Sequence, residues 1–219
     1  MNKNIAPSWK KRFAYDWWKF LLLGGIVSFL IYFLYYFADR VKPSEKLQIF
    51  TSCDIKDEAY GKKLRDKYRE KGVLQFAILS IDSSSDYYDT SLGSQGLYVS
   101  DVLIVPESKL GNGIYYNVCQ FDDEFKASCE ESNPNGLEYF VYTNPNDGRN
   151  LTMGVKIHDA IDEEYNKHFA FDEWLIMHDE NYYMMITSYS ANNGRLSKKS
   201  ETDNALKLYL DLMRVSKNV

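Results

Sequence analysis

Residues 20–38 read FLLLGGIVSFLIYFLYYFA, and the rest of the chain is organised around this stretch. It carries no formal charge, and as a helix rising about 1.5 Å per residue it spans roughly 28 Å, close to the hydrocarbon thickness of a bilayer. Trp17, Trp18 and Tyr36 stand near its two ends, where aromatic residues commonly mark the membrane interface. The stretch therefore predicts a transmembrane helix, since buried core helices of this length usually keep a polar face.

The charges that flank this segment predict its orientation. Residues 1–19 are rich in lysine and arginine and contain a single acid, Asp16, whereas the whole chain has a net charge of −5. Because positive charge is retained in the cytoplasm, we expect a single-pass protein of the cell membrane with a cytoplasmic amino terminus. A cleaved signal peptide is the alternative. The long apolar stretch and the absence of an A-x-A-like site at its exit favour an uncleaved signal anchor.

The remainder of the chain divides into a linker over residues 39–46 and an extracytoplasmic domain over residues 47–219. That length suits one domain with a substantial core and is short for two. The linker is too short to let the domain move far from the bilayer. The acidic balance argues against nucleic acid or an anionic membrane surface as the main partner.

The first half of the domain predicts an α/β fold. Apolar runs at 47–51, 73–81 and 102–105 predict strands, and the segments 56–71 and 87–97 between them predict helices. Strands that alternate with helices indicate right-handed crossovers, a mixed, mainly parallel sheet and three layers. The run at 73–81 is apolar almost throughout, which predicts a strand buried on both faces. Asp54 or Asp57 can cap the first helix, and Gly72 can end it.

The second half predicts a β-hairpin insertion, two helices and a further strand. Residues 139–142 and 151–157 flank NPNDGRN, whose Asp-Gly step favours a turn, and this loop lacks the ligand spacing of an EF-hand. Residues 182–188 predict a strand. Helices are predicted over 162–174 and over 201–215, the latter capped by Ser200.

The three cysteines leave two alternatives open. In an oxidising compartment Cys119 and Cys129, ten residues apart, can form a disulfide while Cys53 stays free. The other alternative is that all three are unpaired.

A ligand site is predicted where the parallel strands end, because ligands of open α/β sheets bind beyond the carboxyl ends of the strands. Turns also favour serine and aspartate, so ordinary turn chemistry is the alternative explanation. The candidate ligand-binding residues at these ends are Ser52, Cys53, Asp54, Asp82, Ser83, Glu107 and Ser108.

No catalytic or metal-binding motif accompanies these residues. His158, His168 and His178 are ten residues apart, which is not a metal-ligand spacing. Walker, G-x-G-x-x-G, G-x-S-x-G and H-E-x-x-H sequences are absent. The sequence therefore predicts a protein that is not an enzyme and has no cofactor and no metal.

The segments LQIFTS (47–52), SDVLIVPES (100–108) and SYSANNG (188–194), with the terminal helix, resemble bacterial extracytoplasmic solute-binding proteins. The resemblance covers residues 47–110 and 180–215. It implies a ligand cleft at Ser52, Cys53 and Asp101. That family uses two lobes around a hinge, whereas this chain has room for little more than one truncated lobe, which implies docking to a membrane partner without solute capture.

Three hypotheses follow. The first is a membrane-anchored binding or accessory subunit of a bacterial transport complex, with an integral membrane partner such as a transporter and a small-molecule ligand as an option. The second is an extracytoplasmic enzyme that uses Cys53 or the carboxylates Asp54, Asp82 and Glu107. The third is an assembly factor whose transmembrane helix contacts partner helices through Gly24, Gly25 and Ser28.

Overall fold

The computed structural model describes residues 9–38, 40–197 and 200–214, and it divides into two units, residues 1–41 and 42–219. The predicted cytoplasmic residues before Trp9, the linker residue Asp39 and the predicted helical residue Val215 lie outside the described residues. The first unit is the helix α1 (Trp9–Ala38). Its segment Trp17–Tyr36 has a mean hydropathy of 1.8 and is 0% buried, so it is long and apolar enough to cross a membrane, as an anchor or as a signal sequence.

The second unit contains a six-stranded sheet with the order β3-β1-β4-β8-β6-β5. A two-stranded sheet, β2-β7, lies beside it. The strands are β1 (Lys46–Thr51), β2 (Asp54–Ile55), β3 (Gln75–Ser80), β4 (Val102–Pro106), β5 (Tyr139–Thr143), β6 (Asn150–His158), β7 (Leu175–Ile176) and β8 (Tyr182–Ile186). The helices of this unit are α2 (Glu58–Arg69), α3 (Tyr88–Ser91), α4 (Asn112–Tyr115), α5 (Asp123–Ser132), α6 (Glu163–Asn166) and α7 (Asn204–Met213).

The half of the large sheet formed by β3, β1 and β4 is parallel, as predicted. The crossover helix α2 begins where the side chain of Asp57 accepts a hydrogen bond from the Ala59 amide. It is followed by Gly72, whose positive φ of 87° only glycine adopts readily. The expectation that β3 is buried on both faces is wrong: β3 is an edge strand, and most of its side chains are only partly buried.

The other half of the large sheet is antiparallel. Strand β8 comes late in the chain and inserts between β4 and β6, and it is antiparallel to both. Strands β5 and β6 pair antiparallel around the residues 144–149 and continue the main sheet at its second edge. That the hairpin forms a separate insertion stays a prediction. The sheet is therefore mixed, and its parallel part is confined to the first half.

The core lies on both faces of this sheet, because successive side chains of a strand point to opposite faces. Ile49 and Ile104 pack on one face with residues of α2, α5 and α7. Phe50 and Leu103 pack on the other face with α3, the π-helical turn Leu92–Leu97 and α4. Elements on both faces of the sheet make the three layers that the sequence predicts.

Two predicted helices are corrected. In the segment 162–174, only Glu163–Asn166 and the 3-10 turn Phe171–Glu173 are helical. The reason is that Phe169, Phe171 and Trp174 are all buried in the core, and their spacing does not fit one face of a helix. Helix α7 begins at Asn204, and Ser200 is not its cap. The Ser200 hydroxyl instead donates to the carbonyl oxygen of Ala191, at 3.0 Å, and closes the preceding loop.

Candidate functional site

The predicted strand-end residues lie at one edge of the sheet, which we call the carboxyl edge. Since β1, β3 and β4 run parallel, the residues that follow them lie at the same edge. Ser52 and Cys53 follow β1, Asp82 and Ser83 follow β3 after Ile81, and Glu107 and Ser108 follow β4. Asp54 instead begins β2 in the small sheet and pairs with Ile176.

Tyr88 covers the centre of the carboxyl edge. Its hydroxyl is hydrogen-bonded to the Ser52 hydroxyl at 2.5 Å, and both residues are 0% exposed. The Lys109 ammonium lies 5.0 Å from the centroid of the Tyr88 ring, a cation–π contact from the outside. The position at which the resemblance implies a ligand cleft is thus filled by a side chain of this protein.

Cys53 is equally inaccessible. It is 0% exposed, and burial raises the pKa of its thiol to about 12. Ser80 donates a hydrogen bond to the Cys53 carbonyl oxygen at 2.8 Å. A nucleophilic cysteine needs a lowered pKa and solvent access, so this thiol has the environment of a structural residue.

The exposed members of the carboxyl edge take part in turn and loop hydrogen bonds. The Asp82 carboxylate accepts from the Ser84 amide at 2.8 Å, which lowers its pKa. Glu107 accepts from the Asn181 side-chain amide at 2.7 Å, and the Ser108 amide donates to the Glu180 carboxylate at 3.3 Å. Ordinary turn chemistry accounts for the Asp82 contact, whereas Glu107 and Ser108 bind the distant residues Asn181 and Glu180.

Asp101 lies at the opposite edge, which we call the amino edge, so its predicted place beside Ser52 and Cys53 is wrong. A residue that precedes a parallel strand lies at the edge where the strands begin. Accordingly, the Asp101 amide donates to the carbonyl oxygen of Gln48, near the start of β1, at 2.8 Å. Its carboxylate accepts from the Gln48 amide at 2.7 Å, from the Asn192 side-chain amide at 3.0 Å and from the Ser190 hydroxyl. Asp101 is 4% exposed, and burial raises its pKa to about 6 despite these hydrogen bonds.

Asn192 extends this cluster to the linker and to the loop before α7. Its side-chain amide also donates to the Lys46 carbonyl oxygen at 2.7 Å, and its side-chain oxygen accepts from the Thr202 hydroxyl at 2.6 Å. We call Asp101, Ser190, Asn192 and Thr202 the Asp101 cluster. It fastens β1, β4 and the loop after β8 together.

Sequence reasoning missed this cluster, although a signal was present. The run SYSANNG follows a strand and is polar, yet Ser190, Asn192 and Asn193 are 7% exposed or less. Its composition is typical of a surface loop, and only the tertiary structure shows that these side chains point inward. Tyr88 was missed because its contact with Ser52 joins residues far apart in sequence.

Two surface grooves lie away from the predicted site. A groove of about 640 Å³ runs between α5 and α7, lined by Ser128, Glu131, Ser132, Pro134, Asn135, Leu210 and Arg214. A second, of about 420 Å³, lies along α2 and the edge strand β3, lined by Ile55, Glu58, Ala59, Gly61, Lys62, Arg65, Phe76 and Ile78. Neither groove includes a predicted ligand-binding residue.

Within the described residues, no group of three or more histidine, cysteine or acidic side chains lies close enough together to hold a metal ion.

Within α1, a methyl group added at Gly24 or Gly25 would meet nothing within 4 Å. With Ser28 these glycines leave a surface on which another helix could pack, and the helix contact stays a prediction.

All three cysteines are free and buried in the structure, and Cys119 and Cys129 do not form a disulfide there. We expect iodoacetamide to leave the folded protein unmodified and to modify Cys53, Cys119 and Cys129 after denaturation, as counted by mass spectrometry. Burial raises the pKa of Cys119 to about 11 and of Cys129 to about 12, which slows the reaction further. Modification of Cys53 alone after denaturation without reductant would instead reveal the disulfide.

No protein-family model, curated protein or solved structure matches this chain.

Proposed function

We propose that this chain is a single-pass membrane protein whose α/β domain is a binding or accessory subunit of a bacterial transport complex. The domain corresponds, in this proposal, to a single lobe of a solute-binding protein that docks to an integral membrane partner. The observation that carries the proposal is the combination of a fully exposed apolar helix with a folded domain whose strand-end position is closed.

The first support is the character of α1. All residues from Trp17 to Tyr36 are exposed and form a long apolar surface. Water is a poor solvent for so large a continuous apolar surface, whereas a bilayer accommodates it. The basic flank over residues 1–19 supports a cytoplasmic amino terminus and an extracytoplasmic domain.

The second support is that the two segments that resemble solute-binding proteins pack against each other. Residues 47–110 supply β1, β3 and β4, and residues 180–215 supply β8 and α7. Strand β8 pairs with β4 from Val102–Ile186 to Pro106–Tyr182, and α7 packs on the same core as β1 and β4. The two stretches therefore form one structural unit, as a lobe requires.

The filled position at Ser52 favours docking over solute capture. Tyr88 and Ser52 are hydrogen-bonded to each other and have no exposed surface, so a solute at this position would have to displace Tyr88. An enzyme that uses Cys53 is disfavoured because burial raises the pKa of this thiol to about 12. The assembly-factor alternative remains as an outcome of the experiment below.

The test is native mass spectrometry of the full-length protein, extracted in mild detergent from the cells that produce it. We expect one additional membrane protein in a fixed stoichiometric ratio. A bare monomer, or a substrate turned over without any partner, contradicts the proposal. An added mass of small-molecule size would indicate that the domain binds a solute.

A matched variant separates the two membrane hypotheses. In this variant residues 17–36 are replaced by an unrelated transmembrane helix, and the domain is left unchanged. If the domain docks, the partner is retained. If the partner is lost while membrane insertion persists, the contact is made by α1, and the assembly-factor hypothesis with Gly24, Gly25 and Ser28 takes its place.

A further inference from the structure

Four large apolar side chains are exposed along the amino edge of the sheet. Leu74 is 66% exposed, Tyr98 56%, Val99 52% and Tyr189 57%. The rings of Tyr98 and Tyr189 contact each other, with centroids 4.8 Å apart. We call these four residues the amino-edge patch.

Strand order places the four residues of the patch along one edge of the sheet. Leu74 directly precedes β3, Tyr98 and Val99 lie just before β4, and Tyr189 follows β8, which runs in the opposite direction. In the sheet, β3 and β8 are separated by β1 and β4. At about 4.8 Å between neighbouring strands, the patch extends over roughly 15 Å.

The linker enters the domain at this same edge. Residues 43–45 form a 3-10 turn that leads into β1, and the Leu74 amide donates to the Glu45 carbonyl oxygen at 2.8 Å. The Lys46 carbonyl oxygen is held by Asn192 of the Asp101 cluster. The chain that arrives from α1 is thus fixed next to the patch by backbone hydrogen bonds.

In a chain anchored by α1, the length of the linker would limit the distance between this edge and the bilayer. Residues 39–45 join α1 to β1, and seven residues reach at most about 25 Å when fully extended. The 3-10 turn within them shortens that reach further. Lys42 and Lys46 are exposed beside the patch and carry the charge that anionic lipid headgroups attract.

We propose that the amino-edge patch lies in the interfacial region of the bilayer and holds the domain against the lipid surface. The inference rests on the proposed membrane anchoring. Tyrosines suit this region because the ring is apolar and the hydroxyl stays hydrated. The carboxyl edge, with Tyr87 and Glu107, then faces away from the membrane and towards a partner.

Size favours lipid over a protein as the occupant. Four side chains that are each little more than half exposed present on the order of 400 Å², about half of what one partner contributes to a standard protein interface. A lipid surface requires no such minimum area from the patch, because the tether already keeps the domain at the membrane.

The test uses the full chain in vesicles of phosphatidylcholine and phosphatidylglycerol that contain a lipid with a nitroxide near the headgroup. A Tyr98→Cys variant carries an environment-sensitive fluorophore, and Tyr87→Cys, at the carboxyl edge and 76% exposed, is the matched control. The native cysteines are buried and stay unlabelled in the folded protein. We expect the nitroxide to lower the fluorescence at position 98 about twofold and to leave position 87 nearly unchanged.

A second probe tests the patch as a unit. The fluorophore is placed at Leu74→Cys, with and without the pair Tyr98→Ser and Tyr189→Ser. We expect the two serines to abolish most of the quenching at position 74 while the protein still floats with the vesicles.

Three results overturn the inference. Equal quenching at 98 and 87 in a protein that floats with vesicles refutes the patch and leaves the anchoring intact. Protection of position 98 from aqueous iodide without quenching by the lipid nitroxide assigns the patch to a second protein copy. A full-length chain that does not float with vesicles refutes the anchoring itself, and the inference with it.

Discussion

Between pH 4 and pH 7 the unfolding free energy of the Asp101→Asn variant is expected to rise by about 2 kcal/mol relative to wild type. Burial raises the pKa of Asp101 in the folded protein to about 6, whereas an unfolded aspartate has a pKa of about 3.9. At a pH between these two pKa values, the Asp101 carboxyl is protonated in a larger fraction of folded molecules than of unfolded ones. The contribution of Asp101 to stability is therefore fully present below about pH 4 and is lost as the pH rises through 6. Asparagine at this position does not titrate.

The measurement is urea unfolding of both proteins in the same detergent, at several pH values in this window. Comparing the two chains cancels the other carboxylates, which titrate in the same range. Asp82→Asn serves as the control, since hydrogen bonds from Ser84 lower the pKa of this exposed carboxyl and give its effect the opposite sign. A stability difference between Asp101→Asn and wild type that stays constant from pH 4 to pH 7 would show that Asp101 is not a buried carboxylate.

Replacing Trp174 with alanine is expected to lower the unfolding free energy by about 3–5 kcal/mol, the range found for large aromatic side chains truncated in cores. Trp174 is 1% exposed, and its ring stacks on Tyr60 with centroids 4.9 Å apart. Its carbonyl oxygen accepts a hydrogen bond from the Lys56 amide at 2.8 Å. The loss of the side chain leaves a cavity between α2 and the small sheet.

Chemical denaturation of the two chains measures this effect. Ile176→Ala is the matched control, because Ile176 lies two residues further on and is 47% exposed, so we expect a loss of about 1 kcal/mol or less. Trp174→Phe keeps a ring against Tyr60 and is expected to fall between wild type and alanine. An alanine variant as stable as the Ile176 control would place Trp174 outside the core.

The parallel half of the fold could be predicted because its signals are local. The apolar runs around Ile49 and Ile104, the helix between Asp57 and Gly72, and the Asp-Gly turn each follow from a few neighbouring residues. The position of β3 could not be predicted in this way, since an apolar run reads the same in the middle of a sheet and at its edge. Strand order depends on contacts between distant residues, and a single sequence does not contain them.

The candidate site shows the same division. That Ser52, Asp82 and Glu107 share an edge follows from strand direction alone. By the same rule Asp101, which precedes its strand, belongs to the other edge, and only the resemblance placed it beside Ser52. The burial of Ser52 by Tyr88, and the inward turn of the polar run around Asn192, are long-range contacts that no local signal indicates.

The insertion of β8 between β4 and β6 sets an order of assembly. Residues of β1, β3 and β4 are synthesised first and can pair at once, but one side of β4 stays open until Val102 meets Ile186, far along the chain. An unpaired apolar strand edge is a template for aggregation, and late contacts of this kind slow folding. A chain tethered at its amino terminus and exported in this order would leave the membrane with that edge uncovered. For a chain exported in this way, biogenesis would depend on how quickly the residues of β8 follow, or on a chaperone that shields β4 in the meantime.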